Sequence, residues 1–214
     1  MAKSLQTITE EKVYEILFEL ENELNIETKQ LPEVYYVGRN FNFEKVGINR
    51  KAYSNFPNFR KEKAANLTQS QIIFTNIIDD KVLAEEAGHF IHERYIRYSQ
   101  NALDEFGAGC IREMVGFFSS KLIDPKREND YEGDLFLNKQ DIFEIAKVYS
   151  KEVSIGGYED LIHQQGYSLG EKLYNKFISG QMSKKDIQKI IKKEYPGKLD
   201  AFFGFFKLKN EILK

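Results

Sequence analysis

The stretch Val82-Leu83-Ala84-Glu85-Glu86-Ala87-Gly88-His89-Phe90-Ile91-His92-Glu93 leaves this chain the fewest choices. It holds no proline and follows an acidic pair, Asp79 and Asp80, where a helix dipole favours negative charge. A helix from Asp80 to about Gln100 is therefore expected. At helical spacing Ile78, Val82, Glu85, His89, His92 and Ile96 form one stripe. Leu83, Ala84, Ala87, Phe90, Ile91 and Tyr95 cover most of the remaining circumference, so the helix should be buried. Buried polar groups must pair with one another or bind something. A metal ion would satisfy the carboxylate and both imidazoles together.

The 214 residues have room for one domain with an elaboration, or for two small lobes sharing a core. With 42% apolar and 30% charged residues the chain is globular rather than disordered. A net charge of −2 gives no global attraction to nucleic acid or to an anionic membrane. The single cysteine, Cys110, excludes an internal disulfide framework and a Cys-rich zinc site, and it suits a reducing compartment. Met1 to Lys12 lack the apolar centre of a secretion signal. No run approaches the ~18 apolar residues of a membrane span. The expectation is a cytoplasmic protein with no membrane partner.

Val13, Ile16, Leu17, Leu20 and Leu24 recur at helical spacing and predict a first helix from Thr9 to about Leu24, capped by Thr9. Thr7 with Glu10 resembles a capping box and gives the alternative start. Val34 to Val37 reads as a short strand, Val46 to Tyr53 as a weaker one and Asn55 to Lys63 as a loop. Gln71 to Thr75 is the best strand and leads almost directly into the central helix. After a turn at Asn101, a second helix is expected over Leu103 to Leu122. Its Gly107, Gly109 and Gly116 each lower helix propensity by roughly 1 kcal/mol, which implies a close neighbour.

The polar stretch Asp124 to Asp134 marks a boundary between a core of residues 1–123 and a C-terminal lobe of residues 124–214 packed on it. That lobe reads as helices over Ile142–Val153, Tyr158–Phe177, Ser183–Lys193 and Lys198–Lys214. Residues 183–214 carry nine lysines and four acids, read as a solvated face. Without arginine or a recognition motif, nucleic acid is not the expected partner. The fold class is α+β, predominantly helical.

Zinc accepts imidazole nitrogen and carboxylate oxygen, and a helix presents two ligands most easily at i and i+4. Glu85 and His89 have that spacing. Glu86 is placed to act as general base toward metal-bound water, and His92 is either a further ligand or a packed supporting group. The order of helix, short strands, an edge strand at Gln71–Thr75 and a helix bearing Glu85-Glu86-Ala87-Gly88-His89 resembles the zincin metallopeptidases, whose active helix carries His-Glu-x-x-His. The second helix with its glutamate resembles the gluzincin branch in particular, over residues 9–122. The resemblance implies a zinc peptidase in which His89 matches the second motif histidine and Glu86 the catalytic glutamate. Where the family has its first histidine this chain has Glu85, a substitution that an active glutamate-ligated site and an inactive descendant would both show.

The resemblance also implies a glutamate ligand from the second helix. In a hairpin turning at Asn101, equal counts from the turn at ~1.5 Å per residue put Glu113 level with His89 and Glu105 roughly 12 Å away. Glu113 is therefore the expected ligand, the bland alternative being an ion pair with Arg112, Arg94 or Arg97. His163 or Tyr167, from a later helix, would stabilise the oxyanion in an active peptidase. The expected partner is a peptide or protein segment laid along the edge strand. Two other readings stay open. One is an inactive zincin-fold module that binds peptide by strand addition. The other is a di-iron bundle built on Glu86-x-x-His89, although Asp160 stands where a second motif ending at His163 would need glutamate.

Overall fold

The computed structural model describes residues 3–37, 66–69, 71–99, 101–131, 138–141, 143–144 and 155–214, with 66–69 and 155–159 described as backbone alone. The order is α1 (Leu5–Leu24), β1 (Glu33–Tyr36), β2 (Asn66–Gln69), β3 (Ile72–Thr75), α2 (Asp80–Glu93), α3 (Ala102–Ile123), α4 (Ile155–Ile178), α5 (Lys184–Ile191) and α6 (Asp200–Leu213). The architecture is α+β and predominantly helical. No helix among the described residues is long and apolar enough to cross a membrane. The expected elements at Val46–Tyr53 and Asn55–Lys63 lie outside the described residues, as does Ile142–Val153 apart from Phe143 and Glu144.

Local chemistry sets most helix ends. Helix α1 starts earlier than either expected start, because the Ser4 side chain accepts from the Thr7 amide; Thr9 is buried inside the helix and donates to the Leu5 carbonyl at 2.7 Å. It stops at Asn25, which adopts a left-handed conformation with φ 50°. Asp79 caps α2 by accepting from the amides of Lys81 and Val82, Asn101 caps α3, and Ser183 with Asp186 forms a capping box on α5. Helix α6 has no side-chain cap of its own. Asp104 of α3 supplies one, accepting from the amides of Leu199, Ala201 and Phe202 at 2.7–3.1 Å.

Helix α2 is shorter than its pattern suggested. It ends at Glu93 rather than near Gln100, because the chain beyond it pairs elsewhere: the Tyr195 amide donates to the Arg97 carbonyl at 2.7 Å, and Tyr98 bridges to Tyr195. Helix α5 likewise ends at Ile191, short of Lys193.

The strand Gln71–Thr75 is not an edge. The sheet order is β1-β3-β2, with β1 parallel and β2 antiparallel to β3. Ile73, Phe74 and Thr75 are all fully buried, as suits a central strand covered on both faces; an unalternating apolar run is the mark of such a strand. Nor is the far side of β1 open. The Gln6 side-chain amide donates to the Val34 carbonyl at 2.6 Å and accepts from the Tyr36 amide at 2.8 Å, occupying backbone groups that another strand would use. Among the described residues, strand β2 forms the other edge.

Helix α3 is the hub, packed against α2, α4 and α6. One hydrophobic cluster runs from Val13 on α1 to Ile212 on α6, so residues 1–123 and 124–214 share a core. The α3 glycines account for the closeness. A Cβ on Gly107 would lie 2.5 Å from the Ala201 carbonyl oxygen, and one on Gly116 would lie 2.3 Å from the His89 ring. On α4, a Cβ on Gly166 would meet the Glu113 Cβ at 2.4 Å. At these points only glycine lets the helix backbones come together.

Candidate metal centre

Three helices deliver polar groups to one buried place. Glu85, Glu86 and His89 come from α2, Glu113 from α3, and His163 and Tyr167 from α4. Ligand atoms of Glu85, His89 and Glu113 all lie within 4.8 Å of one another, and all three residues are buried. His89 Nε2 is 3.3 Å from Glu113 Oε2 and 4.0 Å from Glu85 Oε1. His163 Nε2 approaches Glu113 Oε2 at 3.4 Å from the third helix.

Charge couples these groups. Burial alone would lower the basicity of His89, but the adjacent Glu113 carboxylate and the charge of Glu86 outweigh burial and raise it to about 8. Burial would likewise raise the Glu113 carboxyl, but His89, His163 and Arg112 hold it well below the usual carboxylate range. Arg112 pairs with Glu93 at 3.5 Å, while the Glu113 carboxylate faces two imidazole nitrogens.

Glu85 is held from the other side. Its Oε2 lies 2.6 Å from Arg127 Nη2, and its Oε1 accepts from the Tyr167 hydroxyl. Arg127 also donates to Ser120 Oγ at 2.9 Å and to the Lys81 carbonyl at 3.2 Å. Its guanidinium lies 5.1 Å from the Phe117 ring centroid and 5.4 Å from that of Tyr167. Burial, followed by the charges of Glu85 and Glu113, pushes the Tyr167 phenol well above its ordinary value, so it remains a proton donor. Arg127 falls in the segment expected to be a polar boundary, and so does Tyr131, which stacks on His163 at 6.0 Å between centroids. Nothing in Asp124 to Asp134 separates these two residues from a solvated loop.

His92 does not join the group. It is fully buried, and its Nδ1 lies 3.0 Å from the carbonyl oxygen of Ile191 at the end of α5. Burial drives its pKa down to about 4, so the ring is neutral and donates that hydrogen bond. Glu86 is buried beside the group and acts on His89 and Arg112 through its charge, but it is not one of the converging donors.

The donors fit a cation. Glu113 Oε2 is buried and flanked by two imidazole nitrogens, yet it receives an aligned hydrogen bond from neither. Two carboxylates and an imidazole are a set that divalent metals accept. Among the described residues this is the one group of its kind, and it could hold a metal ion. No family model, curated protein or solved structure matches the chain.

Proposed function

We propose that Glu85, His89 and Glu113 bind zinc, and that the protein is a zincin-like metallopeptidase with a degenerate motif, working in a reducing cytoplasm. The observation that carries the reading is the convergence of three buried donors from α2 and α3 within 4.8 Å. The succession of strand β3, helix α2 bearing Glu85-Glu86-Ala87-Gly88-His89, and helix α3 bearing Glu113 supports it. Bound zinc would supply Lewis acidity and lower the pKa of a water molecule. Glu86 is the residue to take a proton from the attacking water. Tyr167 is engaged by Glu85 and acts by holding that carboxylate in place. A peptide would lie along β2, since β3 is central and Gln6 occupies the far side of β1.

One observation favours a second reading. Both oxygens of Glu85 already have partners in Arg127 and Tyr167, which suits a self-neutralised polar network in a non-catalytic peptide-binding module. Elemental analysis decides between the two. The first reading expects about one zinc per chain, lost in His89→Ala and Glu113→Gln, and peptide hydrolysis abolished in Glu86→Gln. Wild-type protein that stays metal-free after zinc addition overturns it and leaves the second.

A further inference from the structure

The strongest convergence at the site involves His163. Glu113 Oε2 lies between His89 Nε2 at 3.3 Å and His163 Nε2 at 3.4 Å, without an aligned hydrogen bond from either. Two nitrogens facing one carboxylate oxygen can exchange their protons for a cation that all three then share. The helices are shaped for this approach. Gly116 makes room for the His89 ring, and Gly166 lets α4 come down onto Glu113. Glu85 differs, since an arginine and a phenol already engage the two oxygens of its carboxylate.

We propose that His163 is a fourth ligand of the ion, and that His89, Glu113 and His163 bind it more strongly than Glu85 does. This rests on the metal-site reading above, and it assigns His163 to the ion rather than to an oxyanion. Charge is consistent with it: the carboxylates of Glu85, Glu113 and Asp130 together balance a divalent ion and Arg127, which lies 2.6 Å from Glu85 and 3.9 Å from Asp130. Exposure is consistent too. The His163 side chain is 35% exposed, against 3% for His89 and 8% for Glu113, so His163 is the donor that borders solvent. Tyr131 stacked on its ring limits how far it can turn away.

The test uses the full chain, whose three histidines are His89, His92 and His163, with zinc as the probe. Imidazole 15N NMR of the wild type should show the His89 and His163 nitrogens shifting on zinc addition and those of His92 unmoved. In chelator competition, His163→Gln should weaken zinc binding by more than about 100-fold, beyond the 10–100-fold typical of a merely supporting residue. Glu85→Gln should weaken it by a smaller factor than His163→Gln does. A shift at His89 with none at His163 overturns the proposal and leaves the metal site standing. No shift at any histidine overturns the metal site itself. Because the NMR arm uses unaltered protein, a folding defect in either variant does not affect its outcome.

Discussion

Arg127, from a segment outside any helix or strand, places Nη2 2.6 Å from Oε2 of Glu85 in the middle of α2. Both side chains are almost fully buried, and the guanidinium lies against the rings of Phe117 and Tyr167. A buried pair recovers little more than the cost of desolvating its two ions. Losing one member is far more damaging, because the other charge is left in a poorly polarisable interior.

Arg127→Met should therefore destabilise the fold by about 3–5 kcal/mol, and the double variant Glu85→Met/Arg127→Met should recover most of that loss. Urea denaturation of the wild type, both single variants and the double variant at neutral pH measures the coupling. A loss below about 1 kcal/mol in Arg127→Met would show a pair that behaves as a surface bridge.

The approach of α2 and α4 to α3 rests on missing side chains. Gly116→Ala would put a methyl 2.3 Å from the His89 ring, and Gly166→Ala would put one 2.4 Å from the Glu113 Cβ. Each should cost about 1–3 kcal/mol by overpacking. Each should also weaken zinc binding, because the displaced residue is itself a proposed ligand. Thermal denaturation without metal and chelator competition with it report the two effects separately.

His92 makes stability depend on acidity. Its pKa falls from 6.5 to about 4 on folding, so between those values the unfolded chain binds the proton first. Its contribution is present above pH 6.5 and is lost as the pH falls toward 4, by about 3 kcal/mol over the full range. His92→Gln should flatten that part of the profile. Denaturation midpoints of the two proteins from pH 7.5 to about 4 test this, and parallel profiles would exclude His92 as the source.

Asp104 should matter more than an acid in the first turn of α3 ordinarily does. Asp104→Ala removes acceptors from the amides of Leu199, Ala201 and Phe202 at the start of α6, with an expected loss of about 2 kcal/mol. Hydrogen exchange should accelerate at residues 199–203 before it does in α2. Uniform acceleration across the chain would mean that α6 does not open as a separate unit.

By itself the sequence determined the helical periodicity, several of the helix starts and the buried polar stripe on α2. Those signals act over a few residues: side-chain spacing of 3.6, an Asp79 or Ser183 oxygen reaching an amide two or three positions on, an Asn101 that opens α3. His89 and Glu113 were brought level by counting from Asn101, and they do meet, although α2 stops at Glu93 and the Gly88–Gly116 crossing does the bringing. Tertiary structure alone decided which charges answer one another. It took Arg127 out of an apparently solvated loop to hold Glu85, turned His92 toward Ile191, and set His163 against Glu113. It also put β3 in the centre of the sheet. The physical reason is range: a cap or a periodicity is fixed by neighbours along the chain. The partner of a buried charge is fixed by which distant backbones can approach, and here glycines that carry no chemistry of their own set that approach.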